Sequence, residues 1–138
     1  MKTVYFVLGM HRSGTSAITG AINILGLDIG SDLMPITKDN PKGYFENNKV
    51  LHLNEKILAE NNSKWDDCHF KISNISKGKK SEYVTEAKNI LKEEFRYAKQ
   101  FCIKDPRNCL TFPIWEKASL ELKLEIKVIL PYRNPIEV

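Results

Sequence analysis

Residues 3–26 read TVYFVLGMHRSGTSAITGAINILG. The opening Thr3–Leu8 is a continuous apolar, β-prone run, the pattern of a strand buried on both faces in a parallel sheet. From Thr15 to about Leu25, the apolar residues Ala17, Ile18, Ala21, Ile22 and Leu25 recur at helical spacing. Gly26 is a natural C-terminal stop. Between strand and helix lies Gly9-Met10-His11-Arg12-Ser13-Gly14-Thr15-Ser16. A glycine turn in that position points several backbone N–H groups at one spot, and the helix N-terminus adds about half a positive charge. The spacing Gly9-x-x-x-x-Gly14 matches a phosphate-binding loop and not the dinucleotide pattern G-x-G-x-x-G. Yet Thr15 stands where a nucleotide-hydrolysing loop carries the lysine that reaches the β and γ phosphates. The nearest cation is Arg12, inside the loop, whose planar fork suits two oxygens of a phosphate or sulfate. Apart from Asp105, no acidic strand end is placed to hold magnesium.

Outward from this unit the chain alternates helices and short strands. The spacing predicts a helix over 48–60, with Val50, Leu51, Asn54, Ile57 and Leu58 on one face. Residues 26–47 and 61–80 read as irregular and turn-rich. Ser81 is a candidate N-cap for a helix to about Lys99, with Val84, Ala87, Ile90, Leu91, Phe95 and Ala98 as its buried stripe. Residues 101–104, FCIK, form a short strand ending at Asp105-Pro106-Arg107. Pro113 is placed to open a helix through about Leu122. Residues 124–133 hold another buried strand, and Asn134-Pro135 is a helix-start signal. This order gives an α/β fold with a mostly parallel sheet flanked by helices. Ligands in such sheets bind at the carboxyl ends of the strands. The turns at 9–16, 105–107 and 133–135 all follow strands and belong on one edge.

The chain of 138 residues is long enough for one domain with a real core. Its net charge of +4 is mild and no arginine-rich arm is present. That balance fits an anionic small molecule at least as well as nucleic acid, so no nucleic-acid partner is expected. Lys77-Gly78-Lys79-Lys80 reads as a solvated loop. Nothing reads as a signal peptide or a membrane span, so the expected location is cytoplasmic. Cys68, Cys102 and Cys109 lack a CxxC pair and read as reduced thiols. A zinc site from Cys68, His69, Cys102 and Cys109 would lack the close paired spacing such sites use, and no metal is expected.

GMHRSGTS, with Arg12-Ser13-Gly14-Thr15 at its centre, resembles the 5′-phosphosulfate loop of sulfotransferases that use 3′-phosphoadenosine 5′-phosphosulfate (PAPS). DNPKGYFEN, 39–47, is similar to the segment after the first helix in bacterial and carbohydrate sulfotransferases. KDPRNCLTFPIWEKA, 104–118, and LPYRNPIEV, 130–138, also resemble such enzymes, the latter the start of a 3′-phosphate motif. The resemblance covers nearly the whole chain, in order. It implies the P-loop NTPase-like sulfotransferase fold in part, as a single domain over 1–138 cut short at its C-terminus. The motif's serine, about two helical turns after Arg133, would fall beyond Val138. It also implies transfer of a sulfuryl group from PAPS to a hydroxyl, with adenosine 3′,5′-bisphosphate (PAP) as product and a carbohydrate as the expected acceptor. The alternatives are a P-loop kinase or NTPase with a degenerate loop, and a non-catalytic anion-binding remnant.

Under this resemblance Arg12 stabilises charge on the departing phosphate, and Ser13, Gly14, Thr15 and Ser16 cradle the same group. Glu46 is the candidate general base; the alternative is a helix N-terminal glutamate favoured by the dipole. His11 is the second candidate base, against a plain loop-packing role. Arg133 is assigned to the 3′-phosphate, against a strand-end salt bridge. Lys104, Asp105 and Arg107 order the donor edge or the acceptor, unless Asp105 and Arg107 are only a structural ion pair. Trp65, Trp115 and Phe112 read as core, with sugar stacking the lesser alternative.

Overall fold

Thr3–Val7 forms β1, the central strand of a three-stranded sheet in the order β2-β1-β3. The computed structural model describes residues 1–137. β2 is Gln100–Lys104 and β3 is Glu125–Ile129; both run parallel to β1. The register pairs Val7 with Lys104 on one side and with Ile129 on the other. All three strands therefore end at the same edge of the sheet.

The two faces are covered unequally. Val4, Phe6, Phe101 and Ile103 point into the main core, beneath α2 (Asn48–Glu60), α3 (Lys77–Glu94) and α4 (Asn108–Glu121). Alternate residues Tyr5, Val7 and Cys102 face a smaller cluster with Ile18 and Ile22 of α1 (Thr15–Ile24). α2 carries the stripe its spacing predicts, with Val50, Leu51, Asn54, Ile57 and Leu58 all buried. Asn54 is tolerated there because α4 satisfies it. Its Oδ1 accepts from Thr111 Oγ1 at 2.7 Å and Trp115 Nε1 at 2.8 Å, and its Nδ2 donates to Asn108 Oδ1 at 2.7 Å. Phe95 stacks on Phe101 with centroids 4.2 Å apart, and Phe112 meets Phe6 edge-on.

Several expectations are corrected. The third helix is capped by Ser76, whose Oγ accepts from Lys79 N, and not by Ser81. Lys77–Lys80 is thus a first helical turn rather than a loop. That helix ends at Glu94, because Phe95 leaves the helical conformation where it stacks on Phe101; Ala98 lies in the following turn. α4 begins at Asn108, directly after the Asp105-Pro106-Arg107 turn, and contains Pro113. Proline there forfeits one bond to the carbonyl of Cys109, an exposed residue. β3 is a half-exposed edge strand, not a buried one, with Val128 44% exposed. The apolar stripe of α1 is mostly open: only Thr15 and Thr19 of that helix are buried, and Ile24 and Leu25 are exposed. Trp115 is core, but Trp65 is 52% exposed on a surface turn. Asn134 does cap as predicted, accepting from Ile136 N at 3.1 Å, over a single 3-10 turn at Pro135–Glu137. Among the described residues no helix is long and apolar enough to cross a membrane.

The irregular segment between α1 and α2 is held by Glu94 at the end of α3. Its Oε2 accepts from Asn47 Nδ2 at 2.8 Å and from the N–H groups of Ser31 and Asp32. Its Oε1 pairs with Lys49 Nζ at 2.9 Å. Gly30 permits this closeness: a Cβ there would lie 2.7 Å from Asn47 Nδ2, at a φ of +86°. Burial alone would push the Glu94 carboxyl up, but these donors outweigh it and hold it down at about 2.

Candidate functional site

Between β1 and α1 the chain folds back on itself tightly enough to require glycine twice. A Cβ on Gly9 would lie 2.7 Å from Ser13 Oγ and 2.8 Å from Thr15 Cγ2. Gly14 caps α1 at a φ of +90°. Arg12 also adopts a positive φ, 68°, which costs a non-glycine residue on the order of 1 kcal/mol. Within the fold-back Ser13 Oγ donates to Met10 O at 2.7 Å, which braces the loop. Among the described residues, the N–H groups of Arg12, Gly14, Thr15, Ser16 and Ala17 have no protein acceptor. Those of Gly14 to Ala17 are the orphan donors of the α1 N-terminus.

A cation from another strand reaches this turn. Lys104, the last residue of β2, is 4% exposed. Its Nζ donates to Ser16 Oγ at 3.1 Å, to Tyr44 O at 2.9 Å and to Glu46 Oε1 at 2.7 Å. Ser16 Oγ in turn lies 3.4 Å from Tyr44 O. Glu46 is 5% exposed and sits just before Asn47, the N-cap of α2. It is not a dipole-favoured helix residue, since the helix starts at Asn48 and the carboxylate turns to Lys104. Its other oxygen lies 3.8 Å from Arg107 Nη1. Arg107 is anchored on Asp105 Oδ1 at 3.1 Å and Glu55 Oε1 at 3.0 Å. Asp105 and Arg107 do form an ion pair, and that pair borders the Glu46–Lys104 couple.

His11 is half-buried against the Trp65 ring, with centroids 4.6 Å apart. Its Nε2 has no partner among the described residues. Burial lowers its pKa below the ordinary 6.5, and the positive charges of Arg107 and Lys104 lower it further against the opposing pull of Glu46 and Asp105. Both effects favour the neutral imidazole. Arg133 donates from Nη1 to Arg12 O at 3.4 Å and lies 3.6 Å from Glu137 through Nε. This brings the turn after β3 onto the loop, with the strand-end ion pair present as well.

These groups enclose a cavity of about 660 Å³. The loop residues His11, Arg12, Gly14, Thr15 and Ser16 line it, with Lys104, Pro106 and Arg133. Asp39, Asn40 and Lys42–Glu46 line it as well. A volume of this size is in the range that holds a nucleotide or a small organic ligand. Arg12 is exposed on its edge, with no carboxylate in ion-pair range among the described residues.

Spacing along the chain gives Lys104 no place in the loop, because 88 residues separate it from Ser16. The available signal is topological: a lysine closing a strand that pairs with β1 must stand level with the loop's start, as the Val7–Lys104 register requires. The Tyr44 carbonyl has no sequence signal of its own. No family model, curated protein or solved structure matches the chain.

Proposed function

We propose that the protein is a PAPS-dependent sulfotransferase acting on a hydroxyl acceptor. The observation that carries this reading is Lys104 Nζ, 3.1 Å from Ser16 Oγ. In a nucleoside-triphosphate loop the hydroxyl at the Ser16 position holds magnesium. Here that hydroxyl already accepts from a buried ammonium, which occupies the place a divalent cation would take and whose charge is offset by Glu46. A kinase or NTPase reading would need both in the same place.

The roles follow from position. The free amides of Arg12 and Gly14–Ala17, with the Arg12 guanidinium, hold the 5′-phosphosulfate at the helix tip. Glu46 takes the acceptor's proton as the acceptor oxygen bonds to sulfur. The bond from sulfur to the bridging phosphate oxygen breaks, and its electron pair leaves with PAP. Lys104 lies next to Glu46 and to the loop, where it opposes the charge growing on that oxygen. Neutral His11, which lines the same cavity, is the alternative base.

Transfer of radiolabelled sulfuryl from PAPS to a panel of alcohols and sugars in EDTA tests the reading. The wild-type protein transfers label, and Glu46→Gln lowers kcat by about 10²–10⁴-fold, the usual share of a general base. A loss on His11→Asn with Glu46→Gln unaffected would move the base to His11. Magnesium-dependent ATP binding with no transfer would refute the proposal in favour of a kinase-like protein.

A further inference from the structure

Glu46 uses its two oxygens differently. Oε1 accepts from Lys104 Nζ at 2.7 Å, while Oε2 accepts no hydrogen bond among the described residues. Arg107 Nη1 stands 3.8 Å from Oε2, within ion-pair range but beyond a hydrogen bond. Left to themselves, a guanidinium and a carboxylate commonly close into a bidentate pair that uses both oxygens. Here two other carboxylates hold the fork. Asp105, fully buried, takes Nη1 at 3.1 Å and also accepts from the Arg107 N–H at 2.9 Å. Glu55 of α2 takes Nη2 at 3.0 Å. The Arg107 side chain is largely buried, and neither it nor Glu55 lines the cavity.

We infer that Arg107 is a positioning residue for Glu46, and that Asp105 and Glu55 tether its guanidinium so that it favours the carboxylate without capping Oε2. This rests on the sulfotransferase reading, in which Glu46 takes the acceptor's proton. A hydrogen bond on Oε2 would have to break before that oxygen could take a proton. With Lys104 on Oε1 and Arg107 held off Oε2, the carboxylate is fixed from β2 and from the turn before α4, and one lone pair stays open to the acceptor. The same guanidinium is, after burial, the largest influence lowering the His11 pKa. Its charge therefore opposes proton transfer to the imidazole and leaves Glu46 as the better base.

Glu55→Ala tests this. The side chain is 55% exposed on a helix, where alanine is well tolerated. Loss of the tether on Nη2 lets the guanidinium close onto Oε2. The Glu46 13Cδ resonance, assigned by its loss in Glu46→Gln, should then move. In the radiolabelled PAPS assay kcat should fall by about ten-fold with KM unchanged, and Glu55→Ala should add no loss in the Glu46→Gln background. Glu55→Gln keeps an acceptor for Nη2, so it should retain the wild-type resonance and rate. A resonance that stays in place in Glu55→Ala, equal losses for the alanine and glutamine variants, or the same loss with and without Glu46 would overturn the inference. The two levels separate cleanly. Transfer by wild type with an unmoved resonance sinks this inference alone. A moved resonance in a protein that transfers nothing sinks the sulfotransferase reading and, with it, the role of Arg107 in catalysis.

Discussion

Lys104 and Glu46 are both almost fully buried, and neither would be tolerated there alone. A lone buried ion costs several kcal/mol, and the pair persists because Tyr44 O and Ser16 Oγ complete the ammonium's shell. His11 beside them follows a different rule. Its pKa is lowered first by burial and then by Arg107, so the folded protein resists protonating it. In the unfolded chain it titrates near 6.5, and the unfolded state then binds more protons than the native one. Its contribution to stability is therefore present above pH 6.5 and is lost as pH falls below that value. Urea unfolding at pH 7.5 and 5.5 should show a drop at the lower pH that His11→Gln reduces. An equal drop in wild type and variant would show that His11 carries none of it.

Among elements, the segment before α2 depends on Glu94 at the end of α3. Its carboxyl is held at about 2, so its contribution to stability is complete above roughly pH 4.5 and is lost as pH falls toward 2. Glu94→Gln keeps the shape but removes the charge that Lys49 and four neighbouring donors use. It should lower stability at pH 7 by on the order of 2 kcal/mol, with the difference from wild type shrinking at pH 3. Unchanged stability at pH 7 would contradict this. Which elements are legible in sequence follows from how each is used. α2 is readable to its ends because one face is buried and Asn47 caps it. α1 has the right periodicity, but only Ile18 and Ile22 of its stripe pack on the sheet, while Ala17 and Ala21 line the cavity. α4 begins before Pro113 because the Asp105 turn nucleates it, with Arg107 N bonding to Asp105 Oδ1 at 2.9 Å. The exposed edge strand β3 looks buried in sequence because an apolar run does not say how many neighbours it has.

For the whole molecule, parallel pairing does the decisive work. It brings the loop after β1, the turn after β2 and the turn after β3 to one edge, as strand order alone predicts. What strand order does not supply is the pairing of particular atoms across that edge. Gly9, Arg12, Gly14 and Ser16 are readable from local spacing, and Glu46 from resemblance. The meeting of Lys104 with Ser16, Tyr44 and Glu46 joins distant segments through the β1–β2 register, and Ser13 bonds back to Met10 because the loop folds over Gly9. The central claim is that a lysine from β2 completes a phosphate loop so that it binds its anion without a divalent metal. Isothermal calorimetry with PAP in EDTA measures this directly, on the wild-type protein and on Lys104→Met and Arg12→Ala. The account predicts binding by wild type that magnesium does not strengthen, and a loss of about ten-fold or more in each variant. Binding that requires magnesium, or that survives Lys104→Met unchanged, would contradict it.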